Sequence, residues 1–106
     1  MQISRKTSKP VRNGVAVFTA SANVPFRIIV RSFTLVFDDD VGLARYKAAH
    51  DGEVFSEGDV ASKMPIALVT PLKIPRGARK FRIVLSSIPK EIINLDCEFI
   101  VDYSLF

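Results

Sequence analysis

His50 and Cys97 are the one histidine and the one cysteine of this 106-residue chain, and a thiol paired with an imidazole is one way to build a nucleophile. Cys97, however, alternates with acidic residues near the C-terminus and shares its parity with Leu95 and Phe99. A thiol on the apolar side of a strand behaves as a small core side chain. One cysteine and one histidine also cannot complete a structural zinc site.

The sequence offers no other motif that indicates catalysis. It has no nucleophile elbow, no phosphate-binding glycine loop and no dinucleotide fingerprint, and Arg76, Gly77 and Ala78 form only a basic turn. We therefore predict that the protein is not an enzyme, and that it has no catalytic, cofactor-binding or metal-binding residues and no cofactor.

Basic side chains form two clusters that could contact phosphate groups. Residues 1–12 hold four cations and no carboxylate, whereas residues 13–106 hold eleven basic and eleven acidic side chains. Five of those eleven cations lie in residues 73–82, without an acid among them. If both clusters face one side, they form a surface able to follow a phosphate backbone. The candidate contacts with a partner or with nucleic acid are Arg5, Lys6, Lys9, Arg12, Lys73, Arg76, Arg79, Lys80 and Arg82.

The second cluster has an alternative interpretation. It is equally typical of a solvated edge, where the stems of lysine and arginine cover apolar surface. Exposed aromatic side chains for stacking bases would favour nucleic acid, but Phe81 alternates with the charges and should point inward.

Acidic residues gather in loops, at residues 38–40 and again at Asp51, Glu53, Glu57 and Asp59. Carboxylates are ligands that calcium prefers, but this spacing is not that of an EF-hand. We favour the alternative, a solvated acidic rim that keeps a sheet edge from pairing with other chains.

The composition separates a short arm from one domain. Residues 1–12 are too polar to bury themselves, so we predict that they form a flexible basic N-terminal arm. Residues 13–106 have room for a single β-sandwich domain, since the chain is 48% hydrophobic and its mean hydropathy is +0.22. We find neither a secretory signal nor an apolar stretch long enough to span a membrane.

Strand patterns occupy most of the domain. Residues 14–20 alternate as a strand, and residues 21–23 then indicate a turn. In residues 25–37 the apolar phase slips by one position near Arg31, because Phe26, Ile28 and Val30 have one parity and Phe33 the other. Such a slip predicts a β-bulge or a bend between sheets, and the alternative is a strand buried on both faces.

The segment from Val41 to His50 fits either a short capped helix or a strand over Ala44 to Ala49. We favour the strand, because Asp51 and Gly52 are the typical two-residue turn of a β-hairpin. Later in the chain, Pro71 and Pro75 predict an edge strand or a loop, since proline cannot donate to a ladder.

Two clear amphipathic strands end the chain. In the first, Phe81, Ile83 and Leu85 should face the core. In the second, the core-facing side chains should be Leu95, Cys97, Phe99, Val101 and Tyr103. Ile100 and Phe106 have the opposite parity, so we predict that these two contact another subunit.

These patterns predict an all-β fold. About seven short segments have the alternation of a strand, turn residues separate them, and no long segment has a convincing helical pattern. This combination is typical of all-β sandwiches and barrels. We expect a single antiparallel β-sandwich, jelly-roll-like, or a small β-barrel, preceded by the basic arm.

For function, we expect a non-enzymatic structural or assembly protein that forms a homo-oligomer or a larger protein assembly. A virion component is the leading hypothesis, such as a phage minor capsid, decoration or spike-base protein, located in the virion or the cytoplasm. The alternative is a small nucleic-acid-binding β-barrel that uses the arm and residues 73–82. A third hypothesis is a carbohydrate-binding or calcium-dependent adhesion module, which the absence of tryptophan weakens.

Overall fold

Eight strands and no helix make up the computed structural model, which describes residues 2–42, 44–60 and 62–105. The strands are β1 (Gln2–Pro10), β2 (Ala16–Val24), β3 (Ile28–Phe37), β4 (Arg45–His50), β5 (Glu53–Asp59), β6 (Pro65–Ile74), β7 (Gly77–Ser86) and β8 (Asn94–Leu105). No helix within the described residues is long and apolar enough to cross a membrane.

The strands form two antiparallel four-stranded sheets, in the orders β1-β8-β3-β6 and β2-β7-β4-β5. Four of the ladders join β1 to β8, β2 to β7, β3 to β6 and β4 to β5, so the chain is one long antiparallel ribbon folded at the β4–β5 turn. Rolling this ribbon brings β8 against β3 and β7 against β4. That wrapping is the jelly-roll arrangement, so the predicted sandwich is confirmed.

The core lies between the sheets and is built from the inward side chains of both. Leu35 and Leu95 from one sheet and Leu85 from the other are fully buried. Phe33 stands at the centre, with ring centroids 5.8 Å from Tyr46, 5.8 Å from Phe55 and 5.5 Å from Phe99. The contacts with Tyr46 and Phe55 are edge-on and the contact with Phe99 is tilted, and such aromatic contacts add to the stabilisation from burial of the rings.

The predicted slip in the third strand is a β-bulge. The register of β3 against both β6 and β8 shifts between Val30 and Ser32, at Arg31. Because of this extra residue, Val30 and Phe33 both point into the core despite their opposite parity. Phe26 does not share that face as the alternation predicts, since it precedes β3 and is 62% exposed.

Two turns use residues with positive φ. Asp51 (φ 48°) and Gly52 (φ 88°) join β4 to β5, which confirms the predicted hairpin and the strand before it. Asn13 (φ 54°) and Gly14 (φ 72°) make a similar tight turn after β1, closed by Arg12 and Val15. The turn predicted at residues 21–23 is absent, because β2 continues to Val24 along its ladder with β7. Pro71 lies in β6, an edge strand, as its lack of a donor predicts.

Residues 2–10, for which the sequence predicts a flexible arm, form β1 in the structure and pair with β8 along their whole length. Alternate side chains make this possible. Ile3 lies opposite the buried Val101, while Lys6 on the other face approaches Glu98 at 3.6 Å. A polar composition therefore does not prevent this segment from pairing, since an edge strand needs only one partly apolar face.

Candidate interaction surfaces

The outer face of the sheet β2-β7-β4-β5 is basic at its centre. The alternation of β7 buries Phe81 and Ile83, so Lys80 and Arg82, which alternate with them, point outward and are exposed. Lys47 on the neighbouring strand β4 lies opposite Val84 of β7, two residues beyond Arg82, and its Nζ is 3.9 Å from Oε2 of Glu57 on β5. We call Lys47, Lys80 and Arg82 the basic face.

Small side chains surround these cations and leave a depression of about 500 Å³. Arg82 pairs with Thr19 of β2 on one side and with Ala49 of β4 on the other, and Lys80 pairs with Ser21. Within the described residues, the side chains of Lys80 and Arg82 make no hydrogen bond or ion pair. Their charges are therefore available to an anionic group placed in the depression.

Arg79 is one of the nine predicted contacts, but its guanidinium group is already engaged. Its Nε donates to the carbonyl of Pro75 at 3.1 Å and its Nη2 to the carbonyl of Arg76 at 2.8 Å. Its Nη1 donates to Oδ2 of Asp51 at 3.3 Å. Arg79 thus ties the β6–β7 turn to the β4–β5 turn.

Asp51 is held from several directions. Its Oδ1 accepts the backbone N–H of Lys80 at 3.0 Å, and Nε2 of His50 lies 3.2 Å from its Oδ2, without the alignment of a hydrogen bond. The hydrogen bond from Lys80 is the largest influence that lowers the pKa of Asp51, and the nearby His50 and Arg79 lower it further. The carboxylate of Asp51 therefore accepts hydrogen bonds from β7 that hold the β4–β5 turn in place.

The outer face of the other sheet is acidic along β8. Asp96, Glu98 and Asp102 alternate outward, and we call them the acidic face. Lys6 of β1 is near Glu98, and Ser8 donates to Asp96. Acids line the centre of this sheet, whereas cations line the centre of the opposite one.

Ile100 lies in the middle of the acidic face, as its parity predicts. It stands between Ser4 of β1 and Thr34 of β3 and is half-buried. It is therefore an apolar side chain between the polar side chains Glu98 and Asp102 of its own strand. Phe106, the second predicted interface residue, lies outside the described residues.

The two predicted basic clusters do not combine into one surface. Lys73 points outward from β6, opposite Ile29, in the sheet that carries the acidic face. Arg76 is exposed in the turn before β7, and Arg12 in the turn after β1. Of the nine predicted contacts, only Lys80 and Arg82 share the basic face. The remaining positions are Arg5, opposite Phe99, and Lys9, opposite Leu95, on β1, and Lys6 near the acidic face.

Lys47 completes the basic face, and the sequence interpretation missed it. Its signal was present, because the buried Tyr46 and Ala48 alternate with the exposed Lys47 in β4. What was missing was the neighbour relation between β4 and β7, which links residues more than thirty positions apart.

Cys97 is buried in the core, as its parity predicts, with 3% of its surface exposed. Burial, with a smaller contribution from the neighbouring Glu98, raises the pKa of its thiol to about 12. His50 belongs to the other sheet, where its ring packs on Phe81 with centroids 5.1 Å apart. The thiol therefore stays protonated at neutral pH and is shielded from solvent.

Metal binding gains no support from the acidic loops. Across the described parts of the chain, no three histidine, cysteine or carboxylate side chains come together as a metal site would require. Asp51 is engaged by Arg79, and Asp59 approaches Arg45 at 3.3 Å.

No protein-family model matches this sequence, and no curated protein matches it significantly. The two charged faces of the sandwich are therefore the features that bear on function.

Proposed function

We propose that this protein is a non-enzymatic structural subunit that assembles with copies of itself, as a component of a virion or a similar protein assembly. The observation that supports this proposal is the opposite charge of the two outer faces. Lys47, Lys80 and Arg82 mark one face, and Asp96, Glu98 and Asp102 mark the other.

Because the two outer faces of the sandwich carry opposite charges, copies of the protein can stack face to face. When the basic face of one copy meets the acidic face of the next, charges attract in every contact, and the contact repeats in one direction. Such a heterologous contact leads to rings or filaments rather than a closed dimer. Ile100 within the acidic face adds apolar area to the contact. A virion is one setting for such an assembly, since jelly rolls occur in viral capsids, although the fold alone does not fix function.

The test is the oligomeric state as a function of salt. Size exclusion with light scattering should show assemblies at low ionic strength that become smaller as salt screens the two faces. The double variant Lys80→Glu/Arg82→Glu should reduce assembly. Arg76→Glu/Lys90→Glu is the matched control, because it changes the charge equally at exposed positions outside both faces.

A mixing experiment tests the same contact through the recovery of assembly rather than its loss. Asp96→Lys/Glu98→Lys blocks the acidic face, just as Lys80→Glu/Arg82→Glu blocks the basic face. Each variant alone should assemble poorly, because its two faces now have the same sign. A mixture should regain contacts between unlike variants. A wild-type protein that is monomeric at every concentration and salt would refute the proposal.

A second candidate function, nucleic-acid binding, is supported by the depression of about 500 Å³ beside Lys80 and Arg82. A duplex phosphate backbone laid across the basic face would release counterions, so the affinity should fall steeply with salt. Fluorescence anisotropy with a mixed-sequence DNA duplex measures this dependence. Replacing Lys80 and Arg82 with alanine should lower the log–log slope by about 1.8, at about 0.9 per cation. Binding that does not depend on salt, or no binding at low salt, would remove this candidate.

A further inference from the structure

Four hydrogen-bond donors stand next to one another on the outer face of the sheet β2-β7-β4-β5. Thr19 and Ser21 of β2 pair with Arg82 and Lys80 of β7, respectively, and all four side chains are exposed. We call these four residues the donor quartet. Opposite residues of a ladder have Cβ atoms about 5 Å apart, and residues two apart on one strand are separated by about 7 Å. The quartet therefore marks the corners of a small rectangle on the sheet.

The donors of the quartet lack an acceptor within the part of the chain that the structure describes. None of its four side chains makes a hydrogen bond or an ion pair there. The other strand cations of this sheet each have a carboxylate neighbour, namely Asp59 at 3.3 Å from Arg45, Glu57 at 3.9 Å from Lys47 and Asp51 at 3.3 Å from Arg79. The quartet thus differs from its surroundings in having charge and donors that no group of the described chain satisfies.

The immediate surroundings also supply no competing acid. Neither β2 nor β7 contains an aspartate or a glutamate. Asp51 is close to Lys80, but its Oδ1 accepts the backbone N–H of Lys80 and its Oδ2 accepts from Arg79. Hydroxyl, ammonium and guanidinium groups are all donors, and the two cations accept nothing in return. An acceptor for the quartet must therefore come from a molecule that carries negative charge.

The depression of about 500 Å³ gives such a molecule a place to lie, and all four residues of the quartet line it. Room is available because Ala49, opposite Arg82 on β4, and Gly52 in the β4–β5 turn have little or no side chain. A volume of this size lies within the range of sites that hold small molecules.

We infer that the donor quartet binds one phosphate group. Lys80 and Arg82 balance its charge, and the hydroxyls of Thr19 and Ser21 donate to its oxygens. The oxygens of a phosphate point in several directions, so they can accept from donors on four sides. A carboxylate has two oxygens in one plane. The guanidinium group of Arg82 can bind two phosphate oxygens at once, whereas Lys80 acts as a point charge.

This inference deepens the second candidate function and rests on it in part, since it names the side chains that would hold one phosphate of a nucleic-acid backbone. A small phosphorylated molecule offers the same group. The two sources share their chemistry at the quartet and differ only in what is attached to the phosphate.

The first experiment removes the hydroxyls without changing the charge. Equilibrium dialysis with radiolabelled inorganic phosphate measures the affinity at constant ionic strength. Thr19→Val/Ser21→Ala should raise the dissociation constant about fivefold, because two donors are lost. Ser4→Ala/Thr70→Val is the matched control, since it removes two exposed hydroxyls of the other sheet, and it should leave the affinity unchanged. A diffuse attraction to cations does not need the hydroxyls, so an unchanged affinity of Thr19→Val/Ser21→Ala would overturn the inference.

The second experiment tests the cations and the choice of anion. Arg82→Lys keeps the charge but loses the planar fork, and it should weaken phosphate binding about threefold or more. Lys80→Gln/Arg82→Gln should abolish binding, whereas Arg76→Gln/Lys90→Gln removes the same charge from exposed positions outside the quartet and should retain it. Acetate added at equal ionic strength should not displace the bound phosphate. Displacement by acetate as efficient as by unlabelled phosphate would overturn the assignment of the group.

The two sources are distinguished by repeating the hydroxyl test with the mixed-sequence DNA duplex. If Thr19→Val/Ser21→Ala weakens the binding of free phosphate and of duplex alike, the quartet holds the nucleic-acid backbone. If free phosphate binds through the quartet but the duplex does not bind, the second candidate function is refuted, the site stands, and its ligand is a small phosphorylated molecule. If the duplex binds but free phosphate does not, and loss of the hydroxyls changes nothing, the inference is refuted and nucleic-acid binding stands.

Discussion

Replacing Arg79 with methionine should weaken the fold while leaving the basic face intact. The side chain of Arg79 is only 24% exposed, and its guanidinium group donates to two backbone carbonyls, at 3.1 and 2.8 Å, besides Asp51. Methionine keeps most of the aliphatic stem but leaves these acceptors without their donor. A loss of stability in this variant would show that Arg79 has a structural role, beside the partner contact that the sequence predicts for it.

The magnitude follows from the two carbonyl contacts. A hydrogen bond within a protein contributes about 0.5 to 1.5 kcal/mol net, so the two bonds together contribute about 1 to 3 kcal/mol. Arg82→Met is the matched control, because Arg82 is exposed and makes no hydrogen bond within the described residues. Its substitution should change the free energy of unfolding by no more than about 0.5 kcal/mol. Urea unfolding followed by circular dichroism at pH 7 measures both values. Equal stability of the two variants would refute the structural assignment of Arg79.

The pH dependence gives an independent check on the same contacts. The pKa of Asp51 is lower in the folded protein than its ordinary value of 3.8, chiefly through the N–H of Lys80. A carboxyl group with a depressed folded pKa stabilises the fold above its unfolded pKa, and this contribution is lost as pH falls through the folded value. The stability difference between wild type and Asp51→Asn should therefore shrink below about pH 4. Asparagine is the suitable replacement, since it tolerates the positive φ of this position. A difference that stays constant between pH 7 and pH 3 would contradict the assignment.

Further expected results test the strand pairing and the core. Deleting residues 1–10 should lower the free energy of unfolding by more than about 1 kcal/mol, because β8 loses the strand that pairs with it along nine residues. An unchanged melting temperature would instead mean that this segment is a dispensable arm. Phe33→Ala should cost about 3 to 5 kcal/mol in urea unfolding, whereas Phe26→Ala should cost little, because it removes an exposed ring. Similar losses in the two variants would contradict the assigned core. Cys97 should resist alkylation by iodoacetamide at pH 8 until the protein unfolds, and rapid labelling of the native protein would show that the thiol is accessible.

Local patterns in the sequence predicted those parts of the fold that depend on neighbouring residues. Alternation in β7 and β8 identified inward and outward side chains, and the slip near Arg31 identified the bulge. Asp51 and Gly52 identified the hairpin between β4 and β5. Asn13 and Gly14 carried the same kind of turn signal, which the sequence interpretation did not use.

The parts that local patterns missed depend on distant pairing. Ser21 and Asn23 are typical of turns, yet the ladder with β7 extends β2 through them. The charge of residues 2–10 indicates that they are well solvated, but it does not indicate which strand they pair with. Their partner is β8, which lies at the other end of the chain. The intrinsic conformational preference of a residue is a weak guide where a neighbouring strand can form hydrogen bonds with the segment.

The sequence by itself determined an all-β domain, the inward side chains of its longest strands, and the absence of a familiar catalytic motif, because these follow from residue types and short periods. Only the tertiary structure decided which cations share a face. It placed Lys47 beside Lys80 and Arg82, used Arg79 to hold two turns, and moved Lys73 to the opposite sheet. It also decided which strands lie at the edges of the sheets, since an edge exists only once the order of strands in a sheet is known. The physical reason is that strand order arises from contacts between residues far apart in the chain, which no local pattern encodes.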